Sequence, residues 1–118
     1  MNTEIFDFLV QGSAKEPYKV NFIKQEGHEY YAALCNCKAG SMGQVCKHRM
    51  NIFSGKTEDI VEGSLSDAKM LAQWYKGSHY EKINARIKEQ EKVVKKAQSK
   101  LRSTKRELQQ WMHDIKTE

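Results

Sequence analysis

The feature that most constrains this chain is a short segment that holds three cysteines and one histidine. Cys35, Cys37, Cys46 and His48 follow the spacing C-x-C-x8-C-x-H and include every cysteine of the chain. Three thiolates and one imidazole complete a tetrahedral shell around Zn²⁺ and leave no position for a water molecule. The pattern therefore predicts one structural zinc ion, Zn²⁺, bound by these four residues.

The spacing also predicts where the four ligands meet in the fold. Sulfurs on one zinc ion lie about 3.7 Å apart, closer than alternate residues of a flat strand, so the chain must bend at Cys35–Cys37. Residues two positions apart point about 200° apart around an α-helix. Cys46 and His48 therefore converge only if Cys46 lies at a helix entrance, where the helix dipole favours a thiolate. We expect a bent strand end that faces a helix N-terminus.

Two kinds of catalysis use the same residue types. A C-x-C pair can cycle as a disulfide, and Cys46 beside His48 is the pairing of a thiol nucleophile. The chain has four histidines, and the three outside the cluster are isolated from other candidate acids and bases. Because no second acid–base cluster accompanies the thiols, we expect a protein that is not an enzyme and has no small-molecule substrate.

The first half of the chain predicts a small sheet followed by a helix. Apolar residues alternate in 5–10 and 18–22, and a third apolar run covers 30–34, which predicts a three-stranded antiparallel meander. Segment 38–45 is short and contains two glycines, so we expect a turn without a helix or strand. Residues 45–53 read as a short helix that ends before Gly55.

Two more helices are predicted downstream. Ser64 or Ser66 can cap a helix that runs through Tyr75, and the capping box formed by Ser78 and Glu81 opens a helix without Gly or Pro to the end of the chain. The expected fold class is α+β: a zinc-stabilised antiparallel meander with a short helix, followed by a long C-terminal α-helix that resembles a coiled coil. The expected parts are a zinc-binding domain, 1–55; a linker with a short helix, 56–78; and a long basic helix, 79–118.

Composition narrows the class of protein. With 118 residues, of which 30% are charged, the chain holds one small domain and an appendage, and a metal ion is a natural support for so small a core. Three cysteines cannot all pair internally, which favours a reducing, intracellular compartment: the cytoplasm, or the nucleus in a eukaryote. The N-terminus lacks the basic start of a signal peptide, and no apolar run reaches the roughly 20 residues of a membrane span.

The last helix carries a heptad pattern. The a positions are Tyr80, Ile87, Val94, Leu101, Leu108 and Ile115. The d positions are Ile83, Gln90, Ala97, Thr104 and Trp111. This pattern leaves three alternatives open: a homodimeric coiled coil, docking onto a protein partner, or packing against the preceding helix.

The segments Ala33–Cys37 (ALCNC) and Gly43–His48 (GQVCKH) resemble the SWIM zinc finger, whose pattern is C-x-C-x(n)-C-x-H. The resemblance covers roughly residues 4–55 and includes the lysine between the last two ligands and the upstream strands. It implies zinc at the same four residues and a core of a β-hairpin and a helix. SWIM domains occur in chromatin-type helicases, mutator-type transposases, recombination accessory proteins and certain ubiquitin ligases, and they are regarded as DNA-binding or protein-interaction modules.

Positive charge is concentrated in the last helix. Residues 1–78 carry nine Lys/Arg and nine Asp/Glu, whereas residues 79–118 carry eleven and six, which is the whole net charge of +5. The candidate nucleic-acid-binding residues are Lys38, Lys47 and Arg49 beside the metal, and Lys92, Lys95, Lys96, Lys100, Arg102, Lys105 and Arg106 in the tail. The alternatives are that the first group offsets the charge of about −1 on a zinc ion with three thiolates, and that the second is a solvated helix surface.

The aromatic residues of the predicted strands have two possible roles: Tyr18, Phe22, Tyr30 and Tyr31 form either core or a base-stacking platform.

Together these features favour an accessory factor that binds DNA or a DNA-bound complex and that uses its helical arm for self-association or recruitment. The alternative is a protein–protein adaptor that makes no direct contact with nucleic acid.

Overall fold

The computed structural model describes residues 2–116, with side chains through residue 114. It contains one antiparallel sheet of strands β1 (Thr3–Val10), β2 (Tyr18–Gln25), β3 (Ala32–Cys35) and β4 (Ile60–Glu62). The order across the sheet is β3-β2-β1-β4. Phe8 lies opposite Val20, so alternate residues of β1 and β2 share one buried face. The first three strands confirm the expected meander.

The fourth strand was not expected from the sequence. Val10 pairs with Ile60 and Leu9 pairs with Glu62, with an irregularity between the two pairs. Three residues are too few to produce a readable alternation, so only the packing against β1 defines β4. The third strand begins at Ala32 and not at Tyr30, because Tyr31 turns into the core, where it is 5% exposed.

Two short helices each begin directly after a cysteine of the cluster. Helix α1 (Lys38–Ser41) lies in the segment expected to be a turn, which is a correction. The thiol of Cys37 caps α1 by accepting from the backbone N–H of Gly40, so a local hydrogen bond forms this turn of helix without any buried residue. Helix α2 (Lys47–Phe53) begins two residues later than expected, with Cys46 as its N-cap.

The expected caps of the two later helices are found. Ser64 caps α3 (Leu65–Tyr75) by accepting from the backbone N–H of Asp67. The hydroxyl of Ser78 accepts from the backbone N–H of Glu81 at the start of α4 (His79–Lys116).

An aromatic cluster forms the core between the sheet and the helices. The ring of Phe53 on α2 lies 4.9 Å from Phe22, 5.8 Å from Trp74 and 5.2 Å from Tyr75 (centroid to centroid). Leu71 of α3 is 0% exposed. The segment 56–78 was expected to form a linker with a short helix, and its residues 56–77 contribute one strand and one helix to the same compact unit, Met1–Gly77.

Helix α4 belongs to a second unit, Ser78–Glu118. Its 38 residues span about 57 Å at 1.5 Å per residue. The side chain of Ile115, an expected a position, and residues 117–118 of the expected C-terminal segment lie outside the described part of the chain. Among the described residues, no helix is both long and apolar enough to cross a membrane.

Candidate metal centre

The four predicted ligands lie together where the sheet meets two helix entrances. Cys35 is the last residue of β3, Cys37 caps α1, Cys46 caps α2, and His48 is in the first turn of α2. Each is buried, with 3–8% of its surface exposed. One ligand atom from each residue lies within 4.8 Å of all the others. This arrangement can hold one metal ion, and it confirms the expected bent strand end facing a helix N-terminus.

Backbone conformation explains how residues two apart converge here. Cys46 has an extended backbone, with φ −119° and ψ 150°, while the next residues are helical. Cys37 is also extended, with φ −66° and ψ 168°, but it lies beyond the end of β3 at Cys35 and caps α1. Cys46 and His48 therefore span the junction between an extended and a helical residue, and Cys35 and Cys37 span the end of β3, so neither pair lies within a regular strand or helix.

The ring of His48 is held in one orientation. Its Nδ1 lies 3.8 Å from Sγ of Cys35 and faces the thiols. The ring of Tyr18 packs against the imidazole, with centroids 4.7 Å apart. A Cβ at Gly12 would lie 2.8 Å from Nε2 of His48 and would also collide with Tyr18, so only glycine fits on this side. Nε2 lies on the Gly12 side, is buried and has no hydrogen-bond partner among the described residues, so the contact with the Cys35 thiol makes Nδ1 the nitrogen placed to bind a metal.

The thiols differ in how readily they ionise. Burial raises the pKa of Cys35 to about 12. Burial also raises that of Cys37, but hydrogen bonds from Gly40 and from the other thiols outweigh it, so its pKa lies below the usual value. Burial, helped by Lys47, lowers the pKa of His48 and favours the neutral imidazole that a metal needs. A metal cation at the centre of the cluster would supply the nearby positive charge that stabilises Cys35 as a thiolate.

Gly40 makes the approach of α1 to the cluster possible. Its backbone N–H lies 3.3 Å from Sγ of Cys37. A Cβ at this residue would collide with the backbone carbonyl of Cys35. Any larger residue would therefore separate α1 from the end of β3 and pull the two thiols apart.

Arg49 joins three parts of the site through its guanidinium. Nε donates to Sγ of Cys46 at 3.2 Å, Nη1 donates to the carbonyl of Ala33 at 3.0 Å, and Nη2 donates to the carbonyl of Gln44. The residue is half-buried. It therefore connects β3, the segment before α2 and one ligand sulfur. Sequence reasoning grouped Arg49 with the other cations, although its position three residues after Cys46 on a helix was a signal of this contact.

The other predicted cations lie at the surface. Lys38 and Lys47 are exposed and make no hydrogen bond or ion pair through their side chains within residues 2–116. The seven tail cations lie on α4, in the other unit, and are exposed. Of these, Lys92 lies 4.0 Å from Glu89, and both side chains are at least three-quarters exposed. Such a pair contributes little to stability.

The strand aromatics do not form a common exposed platform. Phe22 and Tyr31 are buried, at 0% and 5% exposure, and Tyr18 packs on His48. Tyr30 is 42% exposed, and its ring lies 6.3 Å from that of Trp74. These residues therefore serve the core and the metal site.

A comparison with protein-family models, with curated proteins and with solved structures finds no match to this chain.

Proposed function

We propose that this protein is a non-enzymatic, zinc-stabilised SWIM-like module that binds DNA as an accessory factor, with α4 as an arm for self-association or recruitment. The ligand set supports zinc, because three thiolates and one imidazole select this ion over hard cations such as Mg²⁺. The four residues are buried, and four protein ligands fill every position of a tetrahedral zinc ion, which supports a structural role and leaves no position for a substrate. Alkylation of Cys46 while zinc stays bound would contradict this non-enzymatic role.

The observation that carries DNA binding is the charge pattern of α4. Seven Lys/Arg and no acid lie between Lys92 and Arg106, and all of these side chains are exposed. This stretch is about 21 Å long at 1.5 Å per residue, and B-DNA carries roughly one negative charge per 1.7 Å. Because the cations radiate around the helix, about half of them can face one duplex. We therefore expect about three or four phosphate contacts and a slope of log K against log salt of about −3.

The test measures fluorescence anisotropy of a labelled DNA duplex over a series of salt concentrations. Replacing Lys95, Lys96 and Lys100 together by Gln removes about two of the three or four phosphate contacts, so low-salt affinity falls at least about tenfold and the slope flattens by about 2. The matched control replaces Lys82, Arg86 and Lys88 by Gln, which removes the same charge from the same helix outside the basic run. Equal losses in the two variants, or no binding at low salt, would contradict direct DNA contact.

A protein–protein adaptor is the second candidate, and the exposed apolar residues of α4 favour it. Val94, Leu101 and Leu108 are 54%, 55% and 60% exposed. A stoichiometric partner that co-purifies after nuclease treatment, together with the absence of DNA affinity, would support this candidate over the first.

A further inference from the structure

We infer that α4 pairs with α4 of a second copy of this chain in antiparallel orientation, with the two-fold axis close to Ser99. The inference rests on the part of the proposed function that makes α4 an association arm, and it does not need the DNA-binding part.

The starting observation is an uncovered apolar stripe on α4. Val94, Leu101, Leu108 and Trp111 are 54–64% exposed. They are separated by seven, seven and three residues, so they lie on one side of the helix. The basic residues of 92–106 occupy all the other heptad positions, b, c, e, f and g. An apolar stripe of this length between charged flanks is typical of a helix that pairs with another helix.

The flanking charges favour a second copy in antiparallel orientation. In an antiparallel pair, residues at e positions face e positions of the other helix. When Leu101 lies level with Ala97 of the second copy, Glu91 faces Lys105 of that copy, and symmetry repeats the pair at the other side of the axis. Residues at g positions likewise face g positions, so Arg86 faces Asp114 of the second copy, also twice, and Lys100 faces Lys100. Four opposite-charge pairs then stand against one like-charge pair.

A parallel pair of helices is less favourable when the flanking charge pairs are counted in the same way. There, each g residue faces the e residue five positions later on the other helix. Arg86 would face Glu91, but Lys100 would face Lys105, and each pair occurs twice. The two attractive and two repulsive pairs cancel, so the flanks give a parallel dimer no net preference.

The sizes of the apolar residues point the same way. The antiparallel arrangement places a residues beside d residues, so Trp111 meets Ile87 and Ala97 meets Leu101 of the second copy. A parallel arrangement places Trp111 against Trp111 and Ala97 against Ala97. The Trp111 layer would then be overfilled and the Ala97 layer underfilled, which a close-packed interface does not tolerate well.

This arrangement also couples pairing to polyanions. Ser99 is the midpoint of 92–106, so the two basic segments overlap along their whole length and place seven cations from each copy side by side. Their repulsion opposes pairing at low salt, and salt or a polyanion relieves it. If DNA binds the paired form more tightly, pairing strengthens DNA binding by the same factor.

The experiment is sedimentation equilibrium of the zinc-loaded full chain, without nucleic acid and at about 0.15 M salt, where charges more than about 8 Å apart are largely screened but closer pairs still interact. Lys105→Glu creates two repulsive pairs with Glu91 in the antiparallel dimer but two attractive pairs with Lys100 in a parallel one. The matched control is Arg106→Glu, the same charge change at the neighbouring f position, which faces solvent in both.

We expect the wild-type chain to dimerise and Lys105→Glu to weaken the dimer about tenfold relative to Arg106→Glu. The double variant Glu91→Lys with Lys105→Glu should restore the wild-type dissociation constant, whereas Glu91→Lys with Arg106→Glu, of the same net charge, should not. A monomeric wild-type chain, or a Lys105→Glu dimer as tight as the Arg106→Glu dimer or tighter, would overturn the inference. Sedimentation reports pairing without nucleic acid, whereas the anisotropy test compares two sets of lysine and arginine substitutions for direct DNA contact, so the two proposals can fail separately.

Discussion

The guanidinium of Arg49 offers a direct way to measure what holds the metal centre together. Arg49→Ala removes one hydrogen bond to Sγ of Cys46 and two to the carbonyls of Ala33 and Gln44. It also removes the positive charge nearest to a zinc–thiolate centre of net charge about −1. The substitution therefore weakens the connection between β3 and α2 and the stabilisation of one ligand sulfur at the same time.

The magnitude follows from the exposure of the acceptors. Hydrogen bonds from a charged donor contribute about 1.5–3 kcal/mol each. Gln44 is exposed and Ala33 half-exposed, so water replaces much of the loss at both carbonyls. We therefore expect the free energy of unfolding of the zinc-loaded N-terminal unit to fall by about 2–3 kcal/mol. The zinc affinity should fall by about 10- to 100-fold, as is usual when a group that supports a metal ligand is removed.

Chelator competition measures the zinc affinity, and urea denaturation measures the stability. Lys47→Ala is the matched control, because it removes the same charge two residues away from a side chain without a hydrogen bond or ion pair within the described residues. Arg49→Lys keeps the charge but cannot make three fixed hydrogen bonds, so its zinc affinity should lie between those of wild type and Arg49→Ala. If Arg49→Ala and Lys47→Ala have the same zinc affinity and stability, the reasoning is refuted.

Two further predictions concern the metal itself. Chelation of zinc, or Cys37→Ser, should unfold the sheet while α4 stays largely helical, because structural zinc contributes about 10–16 kcal/mol to small domains; an unchanged melting curve and sheet signal in circular dichroism would contradict this. Zinc affinity should rise as pH increases from about 6 to 8, since the cysteine thiols must release their protons to bind zinc; in the folded site burial raises the pKa of Cys35 to about 12, so this thiol ionises in that range only when a cation is bound beside it. Calorimetry in buffers of different ionisation enthalpy counts the released protons, and zinc binding without proton release would show this explanation to be wrong.

The spacing of the ligands predicted the place of the metal site because it is a covalent constraint. Cys35 and Cys37 cannot point to one ion from a regular strand, and Cys46 and His48 cannot do so from a regular helix. The junctions at Cys37 and Cys46 follow from that geometry alone. Elements that form only through contacts with the rest of the fold were harder to predict from the sequence. Helix α1 depends on a thiol cap, and β4 depends on its pairing with β1.

The sequence also could not separate cations by what they contact. Lys47 and Arg49 are two residues apart and carry the same charge, yet one faces solvent and the other donates three hydrogen bonds across the metal site. On α4 the adjacent residues Lys105 and Arg106 differ in the same way if the helix pairs, because one flanks the apolar stripe and the other faces away from it. A count of charges treats the two members of each pair as equal, although their positions on the helix give them different contacts. A charge substitution is therefore informative only beside a control that removes the same charge at a position with different expected contacts.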